Sequence, residues 1–525
     1  RAKLFNFRQK CMSNKILWAD DEIDLLKPHV IFLESKGYVI ETVNSGDDAL
    51  DKIDEQHFDL VLLDENMPGL SGLETLDRIK SKHPFIPIVM ITKSEEESIM
   101  EGAIGGKIAD YLIKPVNPNQ ILLSLKKNLE SKRLVSEKAT TSYQREFRQI
   151  SMQLQDRMNY EEWVEFYQKL VHWELELENS DEESMLEIFE MQKKEANQLF
   201  SRFIANNYSF WLNGVEEAPV MSHTLMQKKI APSLGNQPVM LFVIDNLRYD
   251  QWRILRSALS DLYTVEKEEV YYSILPTATQ YARNALFAGL MPTEIQKKYP
   301  QWWKNDQDEG GKNLYENELL TANLKRLGKD VKHSYTKITN LEKGKKLVDN
   351  FSNLLQNKLN VVVYNFVDML SHARTDMEVI RELADDESAY RSLTLSWFEH
   401  SPLFDLFKLA AENKMRVLVT TDHGMIKVND PIKVVGDRNT NANLRYKQGK
   451  NLNYKASEVF EVRNPRDCFL PQQNMSSSFI FAKEDSFFVY PNNYNHYVKF
   501  YNNTFQHGGI SLEEVLIPYV ELKAK

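Results

Sequence analysis

Cysteine is scarce in this chain, which has only Cys11 and Cys468 among its 525 residues. Two cysteines cannot build a disulfide framework, so we expect a reducing compartment and a cytoplasmic protein. Long apolar runs are missing as well, since no stretch reaches the roughly 18 residues that a transmembrane helix needs. The opening residues, RAKLFNFRQKCM, are basic but have no apolar core, which argues against a signal peptide.

An excess of basic residues is also missing. The chain has 65 lysines and arginines against 75 acidic residues, which gives a net charge of −10. A protein that binds nucleic acid broadly and without specificity needs a basic face, so this class is excluded, although a local basic pocket is not. The length exceeds what one ordinary core supports and predicts two or three domains.

Glycine and proline are absent from residues 133–212. In this stretch Trp163, Phe166, Leu170 and Trp173 recur at helical spacing, which predicts a helical bundle or hairpin broken near residues 179–181. Two roles are open for it: a packed spacer, or a helical element that dimerises or carries a signal.

The regions on either side alternate apolar runs with helical patterns. Five β/α units over residues 15–132 predict a doubly wound parallel sheet. From Gly214 onward, the near-continuous apolar runs VMLFVID, NVVVYNFVD and MRVLVTTDHG predict strands buried on both faces. We therefore expect an α/β protein with domains at 14–132, 133–212 and 213–525, the last with a polar insertion at about 426–476.

Polar side chains end several strands of the first domain. Asp20 and Asp21 follow the first strand and Asp64 ends the third, so three carboxylates meet at one sheet edge and need a cation such as Mg²⁺. Thr92 and Lys114 end the fourth and fifth strands, where they can bind the oxygens of a phosphoryl group on Asp64.

These residues, in this order, resemble the response-regulator receiver family over roughly residues 14–132. The resemblance implies a flavodoxin-like fold, a sensor histidine kinase as partner, and Mg²⁺ on Asp20, Asp21 and Asp64. It makes Asp64 the phosphorylated residue, Thr92 and Tyr111 the switch residues and Lys114 a phosphate contact. A phosphorylation-dependent homodimer follows as the expected output.

The C-terminal domain has its own set of metal-binding residue types. Mixed imidazole and carboxylate ligands of this kind suit Zn²⁺, with Mn²⁺ as the weaker alternative. The candidates stand at strand ends, at the start of a helix and in a Gly-rich turn: Asp245, Asp368, His372, Asp422, His423 and His507.

A hydroxyl nucleophile is expected in the segment ILPTATQYAR after Asp245. Both Thr277 and Thr279 are candidates, because a hydroxyl at a helix N-terminus lies near backbone N–H groups that stabilise anions. A bound metal lowers the pKa of such a hydroxyl. Arg283 is a further candidate for a substrate contact.

This order of residues resembles the alkaline-phosphatase superfamily over about residues 215–525, and the segments LPTATQYAR and QHGGISLEEVLIP are most similar to its PglZ branch. The resemblance implies one zinc on Asp245, Thr279, Asp422 and His423, and another on Asp368, His372 and His507. It favours Thr279 as nucleophile, because it stands ten positions before Gly289, and keeps Thr277 in reserve.

A receiver joined to a PglZ domain resembles regulators linked to type IX protein secretion, with secretion-machinery or sigma-factor partners. The leading hypothesis is a phosphodiesterase that acts on linear or cyclic oligonucleotides under the control of Asp64. Tyr446 and Tyr454 accompany the basic side chains of the insertion, which would track a nucleic-acid backbone or form a solvated lid; these are Lys427, Lys433, Arg438, Arg445, Lys447 and Lys450. A non-catalytic docking protein and a phosphomonoesterase or mutase-like enzyme are the alternatives.

Overall fold

A computed structural model describes residues 14–83, 86–92, 108–130, 143, 146–178, 183–235, 237–384, 386–437, 440–472, 474 and 476–525. The described residues divide into two compact units. One holds residues 14–143, and the other holds 146–178 together with 183–525. Among the described residues, no helix combines the length and the apolar character that crossing a bilayer requires.

The first unit is built on a five-stranded parallel sheet in the order β2-β1-β3-β4-β5. The strands are β1 Lys15–Ala19, β2 Val39–Val43, β3 Leu60–Asp64, β4 Ile88–Thr92 and β5 Asp110–Ile113. The helices are α1 Lys27–Ser35, α2 Gly46–Glu55, α3 Gly72–Lys82 and α4 Pro118–Leu125. The predicted doubly wound sheet is confirmed, and residues 93–107 lie outside the described part of the chain.

Alternating side chains of the strands fill a core on each face of this sheet. Leu17 and Leu63 point into one cluster, while Trp18 and Leu62 point into the other. Because successive strand residues face opposite sides, a strand covered on both faces must be apolar throughout. The sheet is therefore rigid, and it fixes the polar residues at its carboxyl edge.

The second unit begins with helices. Residues 146–155 are helical, and the long helices α5 (Tyr160–Glu178) and α6 (Glu183–Leu212) follow. Trp163 of α5 packs against Phe200 and Phe203 of α6, with ring centroids 5.2 and 5.9 Å apart. The predicted helical hairpin is confirmed, while the residues of its predicted break, 179–181, lie outside the described residues.

A six-stranded mixed sheet forms the centre of the second unit, in the order β7-β18-β10-β6-β9-β8. The three predicted apolar strands are its adjacent members β10, β6 and β9, which run parallel. The strands are β6 Val239–Ile244, β7 Tyr263–Tyr272, β8 His333–Ile338, β9 Leu359–Tyr364, β10 Arg416–Thr420 and β18 Leu516–Ala524. Their shared carboxyl edge is where functional residues of parallel strands gather.

The second unit also contains shorter helices. In chain order they are α7 Ser222–Leu225, α8 Ala231–Ser233, α9 Tyr249–Ala258, α10 Thr279–Ala288, α11 Pro292–Lys298, α12 Glu316–Arg326, α13 Leu341–Asp349, α14 Phe366–Asp376, α15 Glu378–Leu383, α16 Glu387–Glu399, α17 Pro402–Glu412, α18 Tyr494–Tyr501 and α19 Leu512–Val515.

The predicted insertion at about 426–476 forms ordered strands rather than a loose loop. Small sheets β11-β17, β12-β16 and β13-β15-β14 involve it. Their bounds are β11 Ile426–Val428, β12 Asp430–Lys433, β13 Tyr446–Lys450, β14 Val459–Val462, β15 Ser477–Ala482, β16 Ser486–Val489 and β17 Thr504–Gln506. Apolar side chains from these strands form small cores of their own, including Val434 and Ile480.

Candidate functional site

The carboxyl edge of the first sheet brings three aspartates together. Asp20 follows β1, Asp64 ends β3, and one carboxylate oxygen from each of Asp20, Asp21 and Asp64 lies within 4.8 Å of the other two. Asp20 and Asp64 are buried while Asp21 is exposed. Lys114 bridges the pair, with Nζ 2.8 Å from Asp20 Oδ2 and 3.0 Å from Asp64 Oδ2.

The electrostatics of this cluster favour a cation. Burial raises the pKa of Asp64, and the neighbouring Asp20 adds to the shift while Lys114 opposes it. Burial alone would lower the pKa of Lys114, but the two aspartates outweigh burial and raise it. Asp64 Oδ1 is buried and has no hydrogen-bond partner. A free carboxylate oxygen beside two more carboxylates fits a hard, oxygen-preferring ion such as Mg²⁺.

The predicted switch residues lie on the neighbouring strands. Thr92 ends β4 and is fully buried, and Tyr111 lies in β5 opposite Met90. Lys114 follows β5 directly and precedes Pro115. Strands β1, β3, β4 and β5 therefore bring Asp20, Asp64, Thr92 and Lys114 to one edge of the sheet, and Tyr111 lies within β5.

The second unit gathers a different cluster at the carboxyl edge of its central sheet. β6 and β10 run parallel with Val243 opposite Thr420, so the next residues of each strand bring Asp245 and Asp422 side by side. One ligand atom from each of Asp245, Asp422 and His423 lies within 4.8 Å of the other two, and all three residues are buried.

Close backbone approach shapes this edge. A Cβ on Gly424 would lie 1.9 Å from the carbonyl oxygen of Glu513, so only glycine fits directly after His423. Asn246, with a φ of 65°, turns the chain after Asp245. Its backbone N–H donates to Asp422 Oδ1 at 3.3 Å and its side chain donates to Asp368 Oδ1 at 3.4 Å. Asn246 is a site residue that the sequence did not indicate, although an asparagine after a strand-ending acid is typical of a left-handed turn.

Thr279 lies at the first position of α10, facing this cluster. Its Oγ1 is 3.1 Å from His423 Nε2 and 3.5 Å from Asp245 Oδ1. Thr277 has a different environment: it is fully buried, donates to the carbonyl of Gly509 at 2.8 Å and accepts from the N–H of Gly508 at 3.1 Å. Of the two threonines, the structure brings Thr279 to the acids and histidine, and it places Thr277 in the backbone packing of the His507 loop.

The hydrogen bonds of two histidines fix which ring nitrogen carries the proton. His423 Nδ1 lies 3.0 Å from the carbonyl oxygen of Gly424, and His507 Nδ1 lies 3.2 Å from that of Thr277. A carbonyl oxygen only accepts, so Nδ1 carries the hydrogen and Nε2 keeps its lone pair. Burial, together with His423, lowers the pKa of His507 to about 3, which keeps its imidazole neutral. Neutral imidazoles that offer Nε2 are suited to bind Zn²⁺.

Arg283 does not have the substrate-contact role considered for it. Its guanidinium is 1% exposed, with Nη1 2.7 Å from Asp245 Oδ2 and Nε 2.5 Å from Glu316 Oε1. Both ends are committed to buried acids, so a substrate cannot reach them. Burial still raises the pKa of Asp245, although Arg283 opposes the shift. Asp422 Oδ2 has no hydrogen-bond partner, which leaves a carboxylate oxygen for a metal ion.

The second predicted metal set is less assembled than the first. Asp368, in the first turn of α14, lies 3.6 Å from His372 Nε2 and 3.9 Å from His507 Nε2. The three do not form one group within 4.8 Å among the described residues. The His372 side chain is 69% exposed, whereas the rings of His507 and His423 stack with centroids 4.2 Å apart. His507 thus links the two sets, and His372 stands outside them.

The basic side chains of the insertion do not form one exposed track. Arg445 is fully buried and pairs with Glu514, with Nη2 2.6 Å from Oε2. Lys447 is 1% exposed and donates to the carbonyl of Asn441. The Tyr446 hydroxyl is held by Asp306 at 3.0 Å. The predicted nucleic-acid track is therefore wrong for these three residues, and Arg438 lies outside the described residues.

Comparison with known proteins gives three matches in chain order. Residues 16–126 match the response regulator receiver domain, 133–212 the PorX response regulator linker domain, and 225–522 the BREX system PglZ alkaline phosphatase-like domain. This order is that of a PorX-like architecture, as the sequence analysis expected.

Curated relatives match the receiver region. The transcriptional regulatory protein ResD of Bacillus subtilis is 38% identical over 113 residues, which are 21% of this chain and 46% of ResD. The transcriptional regulatory protein AlgB of Pseudomonas putida is 34% identical over 120 residues, 23% of this chain and 27% of AlgB. The solved chemotaxis protein CheY4 of Vibrio cholerae is 30% identical, covering 22% of this chain and 99% of that one with a TM-score of 0.22.

The chain spans less than half the length of these curated relatives, and each match covers less than a quarter of this chain. Its larger unit carries the acids, histidines and threonine described above, and the match of residues 225–522 covers more than half of the chain. The chain therefore belongs to the PglZ alkaline phosphatase-like family, with a response-regulator receiver domain and a PorX-type linker domain preceding the PglZ domain.

Proposed function

We propose that this protein is a cytoplasmic response regulator in which phosphorylation of Asp64 controls a phosphodiesterase in the PglZ domain. The substrate would be an oligonucleotide, linear or cyclic, and the output would be regulation of type IX secretion. The domains would span 14–132, 133–212 and 213–525. Family membership supports a phosphoesterase-like protein. The ester class, the metal ions and the regulatory output are proposed.

One observation carries the proposal: the Thr279 hydroxyl stands at the N-terminus of a ten-residue helix within 3.5 Å of both Asp245 and His423. A hydroxyl in this position meets the two needs of a phosphoryl-transfer nucleophile. The acid and imidazole orient its oxygen, and the helix N-terminus stabilises the anionic phosphoryl group.

The residues present fit the two zinc ions that the family implies. Asp245, Asp422 and His423 would hold one ion with Thr279, and Asp368 and His507 would hold the other, with His372 joining after a movement of its exposed side chain. Bound zinc would supply Lewis acidity that lowers the pKa of the Thr279 hydroxyl and neutralises charge on the phosphoryl oxygens. Mn²⁺ is the alternative ion, and Mg²⁺ is proposed for the receiver.

The chain's own groups then account for the bond changes. Thr279 Oγ1 loses its proton to water and bonds to phosphorus, while the bond from phosphorus to the leaving oxygen breaks and that oxygen takes up a proton from water. Water next attacks phosphorus, and the bond from phosphorus to Thr279 Oγ1 breaks. One proton of the attacking water restores the Thr279 hydroxyl, and a phosphomonoester leaves. His423, held by its Nδ1–H bond to Gly424, and Asp245, held by Arg283, keep the attacking oxygen in place.

A diester is favoured over a monoester because of Arg283. A phosphomonoesterase must stabilise one more anionic oxygen, commonly with a free guanidinium. Arg283 lies on the helix that carries the proposed nucleophile, and its guanidinium is already paired with Asp245 and Glu316. The proposal of an oligonucleotide substrate is based on the PglZ resemblance. The insertion adds little support for it, since Arg445 and Lys447 are buried.

The test compares ester classes with the zinc-loaded full chain. We expect hydrolysis of bis-(p-nitrophenyl) phosphate and of single-stranded oligonucleotides, and slower hydrolysis of p-nitrophenyl phosphate. Thr279→Val should lower kcat by about 10³-fold or more, because the nucleophile is removed. Thr321→Val, on the exposed face of α12, is the matched control. An inactive wild-type chain with zinc bound would contradict the proposal.

A second candidate, a non-catalytic docking protein, is favoured by one observation. Arg283 Nη1 lies 2.7 Å from Asp245 Oδ2 without a metal, so the protein itself balances part of the negative charge of the site. If cells that carry Thr279→Val secrete normally, this candidate replaces the enzyme.

For the receiver we propose a sensor histidine kinase as partner and dimerisation as output. Phosphorylation would draw Thr92 toward the phosphoryl group and let Tyr111 follow, which changes the surface near β4 and β5. Sedimentation of the full chain with and without beryllofluoride tests this, and an unchanged mass would contradict dimerisation.

A further inference from the structure

The helix α6, which belongs to the linker, binds the loop that follows His507, defined as residues 508–514 and including the start of the short helix α19. Asn197 of α6 makes two hydrogen bonds to this loop. Its Nδ2 donates to Glu513 Oε2 at 3.2 Å, and its Oδ1 accepts from the backbone N–H of Leu512 at 2.8 Å. Asn197 and Glu513 are 5% and 4% exposed, so water does not compete for these bonds.

Two neighbouring residues of α6 extend this contact. The Ser201 hydroxyl donates to the carbonyl of Ile510 at 3.2 Å. Lys193 Nζ lies 3.2 Å from Glu513 Oε1 and 3.1 Å from Glu174 Oε2 on α5. Both long helices of the linker are therefore joined to the same short loop through buried polar groups.

The other side of this loop packs against the turn that carries His423. Gly424 N–H donates to the carbonyl of Glu514 at 3.2 Å, and the space next to Gly424 is closed by the carbonyl of Glu513. The loop thus lies between α6 and the turn after His423. A displacement of α6 cannot be absorbed there without moving the loop, because packed interiors have little free volume.

A chain of ion pairs joins the linker to the other side of the site. Arg391 Nη1 lies 3.0 Å from Glu174 Oε1 and 2.6 Å from Asp250 Oδ2, and Asp250 Oδ1 accepts from Arg248 Nε at 2.9 Å. Arg248 follows Asp245 by three positions and is 1% exposed. All four residues are less than 6% exposed, so the pairs are fixed by the fold.

We infer that the linker helps to build the proposed metal site of the PglZ domain, where Asn197 and Lys193 are positioning residues for His507. The inference rests on the proposed zinc sites. His507 Nε2 is 3.9 Å from Asp368, and zinc needs its ligand atoms at about 2.0–2.2 Å, so a shift of roughly an ångström decides whether both bind one ion. Groups that hold metal ligands in place typically change metal affinity 10–100-fold.

This arrangement gives the linker a means of control. A movement of α6 would shift the loop after His507 and weaken the second metal set most, because His507 directly precedes that loop. The first set would change less, since it meets the loop at Gly424, one residue beyond His423. The predicted signature is graded: the second metal position depends on α6 more strongly than the first.

The test uses Asn197→Leu, which keeps volume and removes both hydrogen bonds, with Asn206→Leu, exposed on the same helix, as the matched control. Zinc content and affinity are measured on the full chain by elemental analysis and competitive titration. We expect the variant to hold one zinc about 10–100-fold more weakly than wild type and the other with a smaller loss of affinity. Ser201→Ala, which removes a single bond to Ile510, should show the same change in smaller degree and covers the case that Asn197→Leu does not fold.

Hydrogen exchange of the metal-free protein provides a readout that does not depend on zinc. The amide of Leu512 should exchange faster in Asn197→Leu than in Asn206→Leu. Unchanged exchange, or faster exchange with both zinc affinities intact, overturns the inference alone. A wild-type chain that binds no zinc overturns the proposed function and this inference together.

Discussion

In the receiver, Asp20 and Asp64 share one lysine, whereas in the PglZ domain Asp245 and Asp422 share one arginine. Lys114 Nζ lies 2.8 and 3.0 Å from its two acids, and Arg283 Nη1 lies 2.7 and 3.7 Å from its own. In both places a buried pair of like charges is balanced by a single side-chain cation.

The two cations differ in what holds them. Lys114 is a point charge on a flexible side chain and pairs with Asp20 and Asp64, next to the exposed Asp21. Arg283 is also held by Glu316, whose Oε1 accepts a hydrogen bond from Arg283 Nε. A movable cation suits a site whose charge changes when Asp64 gains a phosphoryl group. A fixed one suits a site whose geometry must stay constant through turnover.

Among the variants that test the difference between the two sites, the largest effect is expected from Asp64→Ala. Asp64→Ala should abolish labelling by acetyl phosphate, because the carboxylate that accepts the phosphoryl group is gone. Asp24→Ala, an exposed acid of the same unit, should label like wild type. The measurement is phosphoprotein mass analysis, and undiminished labelling of Asp64→Ala would show that the cluster around Lys114 is not the phosphorylation site.

A large loss of stability is expected on removing the fixed cation. Arg283→Met removes the ion-pair partner of the buried Asp245, which costs about 3–5 kcal/mol for a broken buried pair, whereas Glu316 keeps its contacts with Lys337 and Tyr335. Hydrogen exchange of the β6 and β10 amides in the metal-free protein measures this loss, with Arg256→Met as the exposed control. Added zinc should restore part of the stability, since it binds the folded state.

Lys114→Met in the receiver should lower the free energy of unfolding less than Arg283→Met does. The reason is that Asp20 and Asp64 lie beside the solvent-exposed Asp21 and can bind Mg²⁺ from solution. Equal losses for the two variants would contradict the distinction between a movable and a fixed cation.

The sequence predicted the receiver more fully than the PglZ site for a physical reason. Asp20, Asp64, Thr92 and Lys114 each end a strand of one parallel sheet, and strand order alone brings them together. Asp245 and Asp422 were found by the same logic. His372, by contrast, lies on a helix surface, and whether its side chain turns inward is decided by rotamer and packing rather than spacing.

Buried charges were the main limit of sequence-based prediction. Arg445 and Lys447 stand in a polar stretch that indicates solvent exposure, yet both are buried. Arg283 and Arg445 pair with acids from distant parts of the chain, and Lys447 donates to the carbonyl of the nearby Asn441. Their partners, Glu316 and Glu514 among them, are set by tertiary contacts that no local pattern reports. The same holds for the contacts of Asn197 with the loop after His507.

A moderate effect separates the two threonines. Thr277→Val removes a buried hydroxyl that accepts from Gly508 and donates to Gly509, which should cost about 1–3 kcal/mol. Chemical denaturation of the PglZ domain in the full chain reports this loss, and Thr277→Ser should recover most of it. Turnover per zinc-loaded molecule should persist in Thr277→Ser and in Thr277→Val; loss of turnover in Thr277→Val with zinc fully bound would move the nucleophile from Thr279 to Thr277.

The smallest effect concerns pH, and it distinguishes the two sites because only the PglZ site includes histidine ligands. The folded state keeps the pKa of His507 at about 3, below the 6.5 of the unfolded chain. The unfolded state therefore binds more protons below pH 6.5, and the stabilising contribution of neutral His507, present above that pH, is lost as the pH falls toward 3. Between pH 7 and 5.5 the loss is about 1 kcal/mol.

His507→Asn should flatten this part of the pH dependence in the metal-free PglZ domain and leave the receiver unchanged. Hydrogen exchange at pH 7 and 5.5, corrected for intrinsic rates, gives the change in stability of the PglZ domain and of the receiver in one experiment on the same chain. If wild type and His507→Asn lose stability equally, His507 is protonated in the folded protein. Its Nε2 would then carry a hydrogen instead of a lone pair, and the second metal set would lose the ligand that α6 is proposed to position.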